Sequence, residues 1–383
     1  MSWRMKSERS WGRLGMKYET YTMEDALEEI IDYRGKTPKK SDSGIPTLSA
    51  KSVKNNHIDY SLCYYISPDE YKHFMVRGFP KVGDVLLTTE APMGMVARLD
   101  RDDVGIAQRL LTLRGKPGVL DNEYLLYFLQ SSIGQSLLKA RETGTTVTGI
   151  KQAEFRKIQI DIPEISVQKK IGGILRSLDQ KIEINNKINE NLTDQAQAIY
   201  QQHFVTKANP DWPLGHLSDL INVKYGKDHK KLADGAYPVY GSGGIMRYVE
   251  HPLYEKESVL IPRKGTLNNV MYVNQPFWSV DTMFYTEMKQ ANVAKFVYHY
   301  VKSKDLASMN AGSAVPSMTT AILNAMELRI PSEEALFQFE NSVAPMYEMI
   351  KKNEDQSRKL AQLRDVLLSK LMSGEIDVSN LVL

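Results

Sequence analysis

Apolar side chains recur at alternating steps of four and three along two separate stretches of this 383-residue chain. The first stretch reads Ile171, Leu175, Leu178, Ile182, Asn185, Asn189, Leu192, Ala196, Ile199 and His203. The second reads Val343, Met346, Ile350, Asn353, Ser357, Leu360, Arg364, Leu367 and Leu371. A seam of this spacing over about five heptads predicts two long helices joined as a coiled coil. About 40 residues at roughly 1.5 Å each reach on the order of 60 Å, more than one small lobe can cover, so the helices are expected to partner each other. The polar interruptions repeat as well: Asn185 precedes Asn353, and Asn189 precedes Ser357, by the same 168 positions. A buried Asn in such a seam fixes register at some cost in stability.

The offset extends beyond the helices. GTTVTGI at 144–150 returns as GSAVPSM at 312–318, and Ala153/Ala321, Ile160/Leu328, Ile162/Ile330 and Pro163/Pro331 keep the same 168. Upstream it drifts, to 172 at Tyr127/His299, 174 at Leu86/Leu260, 191 at Gly35/Gly226 and 192 at Pro46/Pro238. The first copy therefore carries an insertion of about 18 residues near 50–85. Such a duplication organises the chain as a first lobe (1–160), a first long helix (161–208), a second lobe (209–329), and a second long helix with a tail (330–383). Within the lobes, VGDVLLT, ESVLIPRKG, NVMYVNQPFWSV and FRKIQIDIP have the β-branched, alternating character of strands. MEDALEEIID and NEYLLYFLQSSIGQSLLKA read as helices. The fold class is α+β: two globular lobes separated by two long antiparallel helices, with an internal pseudo-two-fold repeat.

Composition narrows the function. The chain is 42% hydrophobic and 25% charged with a formal net charge of +3, so a nucleic-acid surface must be a local patch. The basic N-terminal segment has no apolar run of signal-peptide length, and no later stretch could span a bilayer, which makes the cytoplasm the default compartment. A single cysteine, Cys63, excludes an internal disulfide and a cysteine-based zinc site.

Two motifs suggest catalysis and fall short. NPDW at 209–212 matches three positions of an Asn-Pro-Pro-aromatic methyl-transfer loop, but GSGG at 241–244, the one candidate cofactor turn, opens no convincing helix. GKT at 35–37 lacks the glycine a phosphate loop needs five positions earlier. No metal spacing and no catalytic triad is defensible, so no cofactor or metal is expected on this chain. What remains are basic and polar clusters at matching places. The first lobe offers Arg34, Lys36, Lys39, Lys40, Thr88, Thr89, Arg98, Gln108 and Arg109, with Thr145 and Thr146 in the repeated turn. The second offers Lys224, Lys227, Lys230, Lys231, Ser242, Arg263, Lys264, Thr266, Asn268 and Asn269, with Ser313 in its turn. Lys and Arg contact phosphates, and Arg, Asn and Gln can contact base edges in pairs of hydrogen bonds. A self-contained adenine methyltransferase using NPDW, and a coiled-coil adaptor for proteins, stand as alternatives to DNA binding.

The segments IPEISVQKKIGGILRSLDQKIEINNKINENLTDQAQAIYQQHF and PSEEALFQFENSVAPMYEMIKKNEDQSRKLAQLRDVLLSKLMSGEID resemble the two conserved helical regions of type I restriction-modification specificity subunits. YRGKTPK, the Gly-Thr-Thr turn and YEKESVLIPRKG…PFWSVDTMFY are similar to that family's target-recognition domains, and the resemblance spans about residues 18–380. It implies a non-catalytic subunit in which each lobe reads one half of a split double-stranded DNA target while the helices serve as a ruler. It also implies two methyltransferase subunits, carrying S-adenosylmethionine and modifying adenine N6, and restriction-translocase subunits as partners. Two lobes on a rod of fixed length can meet major-groove faces about one helical turn, ~34 Å, apart.

Overall fold

The computed structural model describes residues 17–144, 148–309 and 317–381. The chain divides into two compact units, one built from residues 1–185 and 355–383, the other from 186–354. Each unit holds one lobe with part of each long helix, Ile165–Gln201 and Glu333–Met372.

In the first unit a four-stranded antiparallel sheet orders Leu27–Asp32, Leu110–Gly115, Val85–Thr88 and Val96–Arg98. Neither Val85–Thr88 nor Leu110–Gly115 has an exposed residue, so neither alternates: both faces of the sheet are covered. On one face Val85, Leu87, Leu111 and Leu113 pack with Tyr124, Tyr127 and Phe128 of helix Asn122–Gln130 and with Ile171, Leu175 and Leu371 of the long helices. On the other, Ile31, Leu86 and Leu110 pack with Leu48, Phe74 and Ile106 beneath a smaller sheet, in which Gly105–Ile106 runs parallel to Ile45–Leu48. The N-terminal strand Tyr18–Thr22 pairs with Gln159–Pro163, which leads into the first long helix.

The second unit repeats this order. Its sheet runs Ile221–Tyr225, Met283–Met288, Ser258–Pro262, Met271–Val273, and Trp278–Ser279 lies parallel to Asp234–Gly241 as Gly105–Ile106 does to Ile45–Leu48. Leu214–His216 pairs with Glu327–Arg329 ahead of the second long helix. Between its paired strands Asp234–Gly241 and Gly244–Val249 the second lobe has a two-residue turn; residues 49–63 of the first lobe fill the same place with a hairpin and a 3-10 turn. That accounts for much of the offset drift.

Two expected helices are corrected. MEDALEEIID is helical only over Met23–Ala26, capped by Thr22, and then becomes the strand Leu27–Asp32. Pairing with Leu110–Gly115 buries Leu27 and Ile31 and sets Glu29 across from Arg114, gains that outweigh the helical preference of an acid-rich segment. The second helix breaks at Ser131, whose hydroxyl caps Ser132–Ala140 by accepting from the Gly134 amide. A side chain at Gly134 would meet the Phe128 carbonyl oxygen at 2.1 Å, which is why the corner carries glycine.

The long helices are antiparallel. In the first unit Asp179 takes the Arg364 guanidinium at 2.7 Å, and Asn185 donates to Ser357 at 3.1 Å and Gln356 at 2.9 Å. In the second, Asn353 donates to Asn189 at 2.8 Å. Asn185/Ser357 and Asn353/Asn189 are the same pair of repeat positions, so the polar rungs found in the sequence are reciprocal contacts that fix register. Every seam position, from Leu175, Leu178, Ile182, Leu192 and Ile199 to Val343, Met346, Ile350, Leu360 and Leu367, is buried or half-buried. Pro345 lies inside the second helix on its exposed face.

A polar node fastens each lobe to the helices. In the first unit the Tyr127 hydroxyl donates to Asp179 at 2.6 Å, beside the Asp179–Arg364 ion pair. In the second, His299, at the position equivalent to Tyr127, is fully buried between Gln197 at 2.7 Å and the Tyr347 hydroxyl at 2.8 Å. Burial, then the nearby Lys302 charge, pushes His299 down to about 3. The imidazole is thus neutral, its Nδ1–H donating to Gln197 Oε1 and its Nε2 accepting from Tyr347.

Candidate nucleic-acid interface

One stretch of backbone recurs in both lobes beside the buried sheet. In the first lobe the strand Val85–Thr88 ends in the turn Thr89-Glu90-Ala91. The Thr89 amide donates to the Arg109 carbonyl at 3.0 Å, the Ile150 amide donates to the Thr89 carbonyl at 2.9 Å, and Glu90 bridges to Gly149. In the second lobe the strand Ser258–Pro262 ends in Arg263-Lys264-Gly265. There the Arg263 amide donates to the Thr282 carbonyl at 2.8 Å, the Met318 amide donates to the Arg263 carbonyl at 2.9 Å, and Lys264 bridges to Ser317. Ala91 and Gly265 both sit in the left-handed region, with φ of 53° and 86°. Gly265 has a second constraint: a side chain there would meet Ser242 Oγ at 2.7 Å.

Side chains converge on these turns. In the first lobe Arg109 Nε lies 2.8 Å from one Glu90 oxygen and Arg34 Nη2 lies 3.9 Å from the other. Arg109 is itself left-handed, φ 73°. In the second lobe the Arg263 guanidinium lies over the Tyr225 ring, 5.7 Å from its centroid, and Asn269 donates to the Ser242 carbonyl at 2.7 Å. Five places therefore correspond: Arg34, Thr89, Glu90, Arg109 and Gly149 in one lobe, Tyr225, Arg263, Lys264, Thr282 and Ser317 in the other. The scaffold is the same and all five side chains differ.

The sequence candidates sort against this patch. Arg34 and Arg109 belong to it, with Gln108 half-buried beside Arg109, while Thr89 is buried and holds the turn through its backbone; Arg263 and Lys264 belong to it, with Ser242, Thr266 and Asn269 around the same turn. Asn268 is turned toward Asp305 and the Ala307 amide and orders the neighbouring loop. Thr88 and Thr89 are corrected because they are buried, and several other candidates make contacts within their own lobe. Thr88 is fully buried, donating to the Pro92 carbonyl at 2.6 Å and accepting from the Met95 amide at 2.9 Å, so it shapes the turn from beneath. Arg98 pairs with Glu123 at 2.7 Å and ties the sheet edge to helix Asn122–Gln130. Lys40 covers the Tyr64 ring on the smaller sheet, and the Lys39 amide is held by Glu70. Lys224 pairs with Glu287 at 3.4 Å across neighbouring strands. Lys36, Lys227, Lys230 and Lys231 are exposed on adjacent loops. Thr145, Thr146 and Ser313 lie outside the described residues. Sequence reasoning missed Glu90, Tyr225, Thr282 and Ser317 because it searched for cations and amides, whereas the offset of 174 already set Glu90 against Lys264.

NPDW is a fastening turn. The Asn209 side chain accepts from the Asp211 amide at 2.9 Å, and Arg329 donates to the Pro210 and Trp212 carbonyls at 2.7 and 2.8 Å. GSGG closes a hairpin. Among the described residues no group of three His, Cys, Asp or Glu is arranged to hold a metal, and no helix is long and apolar enough to cross a membrane.

Comparison with known proteins agrees with the duplicated plan. The family model described as type I restriction modification DNA specificity domain matches residues 19–194 and 209–342. The MjaIX specificity subunit of Methanocaldococcus jannaschii, a type I restriction enzyme component, is 25% identical over 88% of each chain. The HindI specificity subunit of Haemophilus influenzae is 20% identical over 77% of this chain and 87% of its own. The crystal structure of a type I restriction-modification S subunit from M. genitalium superposes with a TM-score of 0.59 at 19% identity, covering 94% of this chain and 97% of that one, a likeness of fold.

Proposed function

The chain belongs to the type I restriction-modification DNA specificity family, and on that premise we propose that its two patches each read one half of a bipartite double-stranded DNA target. It is the specificity component of such a system and not its catalytic one. One observation carries the reading: the same five backbone positions come together in both lobes, with Arg34, Glu90 and Arg109 beside the buried Thr89 and Gly149 in the first, and they bear different side chains in each. A readout duty repeated in two lobes keeps its scaffold and changes its letters. Arg34, Arg109, Arg263 and Lys264 supply cations for phosphate and base contact, and the exposed Tyr225 supplies a flat apolar face.

The long helices, of 37 and 40 residues, act in this reading as the spacer between half-sites. Two methyltransferase subunits, carrying S-adenosylmethionine and acting on adenine N6, would be matched by the two copies of the repeat. Restriction-translocase subunits would complete the complex. Sequencing the methylome of cells that express this chain with its methyltransferase partner tests the proposal. One bipartite adenine motif is expected; a stable, cofactor-competent complex that modifies no motif, or a continuous one, would refute it.

A further inference from the structure

The two patches differ in sign at one position: Glu90 stands where the second lobe has Lys264. Toward a phosphate backbone a carboxylate is repelled, so phosphate contact does not explain it. Nor is Glu90 a loose surface acid. Its side chain is only 20% exposed, with Arg109 Nε at 2.8 Å and Arg34 Nη2 at 3.9 Å. Its neighbour Ala91 and its partner Arg109 both adopt left-handed backbone, which side-chain-bearing residues rarely do and which clusters at functional sites. Side chain and backbone together hold an acceptor directly beside a donor, with two cations to one carboxylate.

Resting on the reading that the first lobe meets a half-site, we propose that Glu90 and Arg109 act as one unit that reads a C·G base pair in the major groove. In that groove cytosine presents its N4 amine, a donor, and guanine presents the acceptors O6 and N7. Within one C·G pair the amine and O6 are neighbours. A carboxylate beside a guanidinium is the complement of that edge: Glu90 accepts from N4 while Arg109 donates to O6 and N7. Turning the pair to G·C sets the amine against the guanidinium and O6 against the carboxylate, and both contacts fail. Lys264 and Thr282, at the same places in the second lobe, cannot form this complement, so the two half-sites differ here.

The test uses the full chain co-expressed with its methyltransferase partner in a host free of adenine methylation, read by methylome sequencing. Wild type, Glu90→Gln and the reversed pair Glu90→Lys with Arg109→Glu are compared. Wild type is expected to give a bipartite motif with a C·G pair in one half-site. Glu90→Gln should relax discrimination at that position by about 5- to 150-fold and leave the other half-site unchanged. The reversed pair, which keeps the ion pair but exchanges donor and acceptor, should move the preference there to G·C. An unchanged motif in both variants overturns the assignment. So does loss of all modification in both without an altered motif, since the pair would then be structural. A wild-type chain that modifies no bipartite motif overturns the proposed function itself, an outcome distinct from either.

Discussion

Removing the carboxylate of Asp179 should loosen the first lobe from the long helices, and the structure sets the size of the effect. Asp179 is 5% exposed and serves two partners, the buried Tyr127 hydroxyl at 2.6 Å and the half-buried Arg364 guanidinium at 2.7 Å. In Asp179→Ala the hydroxyl loses its acceptor, a loss of about 1–3 kcal/mol for a buried polar group. Breaking a buried ion pair from one side costs about 3–5 kcal/mol in general. Arg364 keeps a second carboxylate, Asp365 at 2.8 Å, and its side chain is 19% exposed, so the ionic part is smaller here. A net loss of about 3 kcal/mol is expected. Arg364→Met strands the charge on the other side and should cost about 2 kcal/mol, while the double variant, which strands no charge and leaves only the Tyr127 hydroxyl without its acceptor, should cost clearly less than the sum of the two.

The assay is a double-mutant cycle by urea denaturation of the full chain. Hydrogen exchange over Asn122–Gln130 and over Ala294–Lys302 supplies a separate probe for each unit, because a chain of two units need not unfold in one step. Exchange should rise in the first helix and stay unchanged in the second. Additivity of the two single losses within about 0.5 kcal/mol would show that the residues do not act together. Loss of protection in Ala294–Lys302 alone would place the effect in the wrong unit. Either result refutes the node.

The matching node in the second unit predicts a pH dependence. His299 is held near 3, below its ordinary 6.5, so between those values the unfolded chain binds more protons than the folded one. Its stabilisation is fully present above about pH 6.5 and is lost as pH falls toward 3, with a slope approaching ~1.4 kcal/mol per pH unit. Unfolding midpoints of the second unit between about pH 4 and 6 should show that slope, and His299→Gln should flatten it; an equal slope in the variant would exclude His299 as the source. The reciprocal rungs Asn185/Ser357 and Asn189/Asn353 make the spacer prediction specific. Removing one heptad from both helices should shorten the gap in the methylated motif while both half-sites keep their sequence, and a changed half-site would deny the helices a ruler role. Removing the heptad from one helix alone should misalign the rungs and abolish modification, measured in the same methylome.

How much of this was legible depended on whether an interaction was written at short or long range. The helical seam could be read directly because its packing has a period, and Leu175 and Leu367 fulfil it whatever surrounds them. MEDALEEIID misled because its strand exists only through Leu110–Gly115, some eighty residues away, which buries Ile31 and answers Glu29 with Arg114. The patch lay at the hard extreme, since Arg34, Glu90, Arg109 and Gly149 meet only after the sheet has formed. A search for cations found the residues suited to phosphate and drew in Arg98 and Lys224, which pair with Glu123 and Glu287 within their own lobes. It could not find Glu90, whose charge argues against DNA until Arg109 is seen beside it. In this duplicated chain the positions proposed to choose bases are ones at which the backbone is repeated and the side chain is not. Such positions emerge from comparing one half of the chain with the other, and the contrast of Glu90 with Lys264 is visible to that comparison alone.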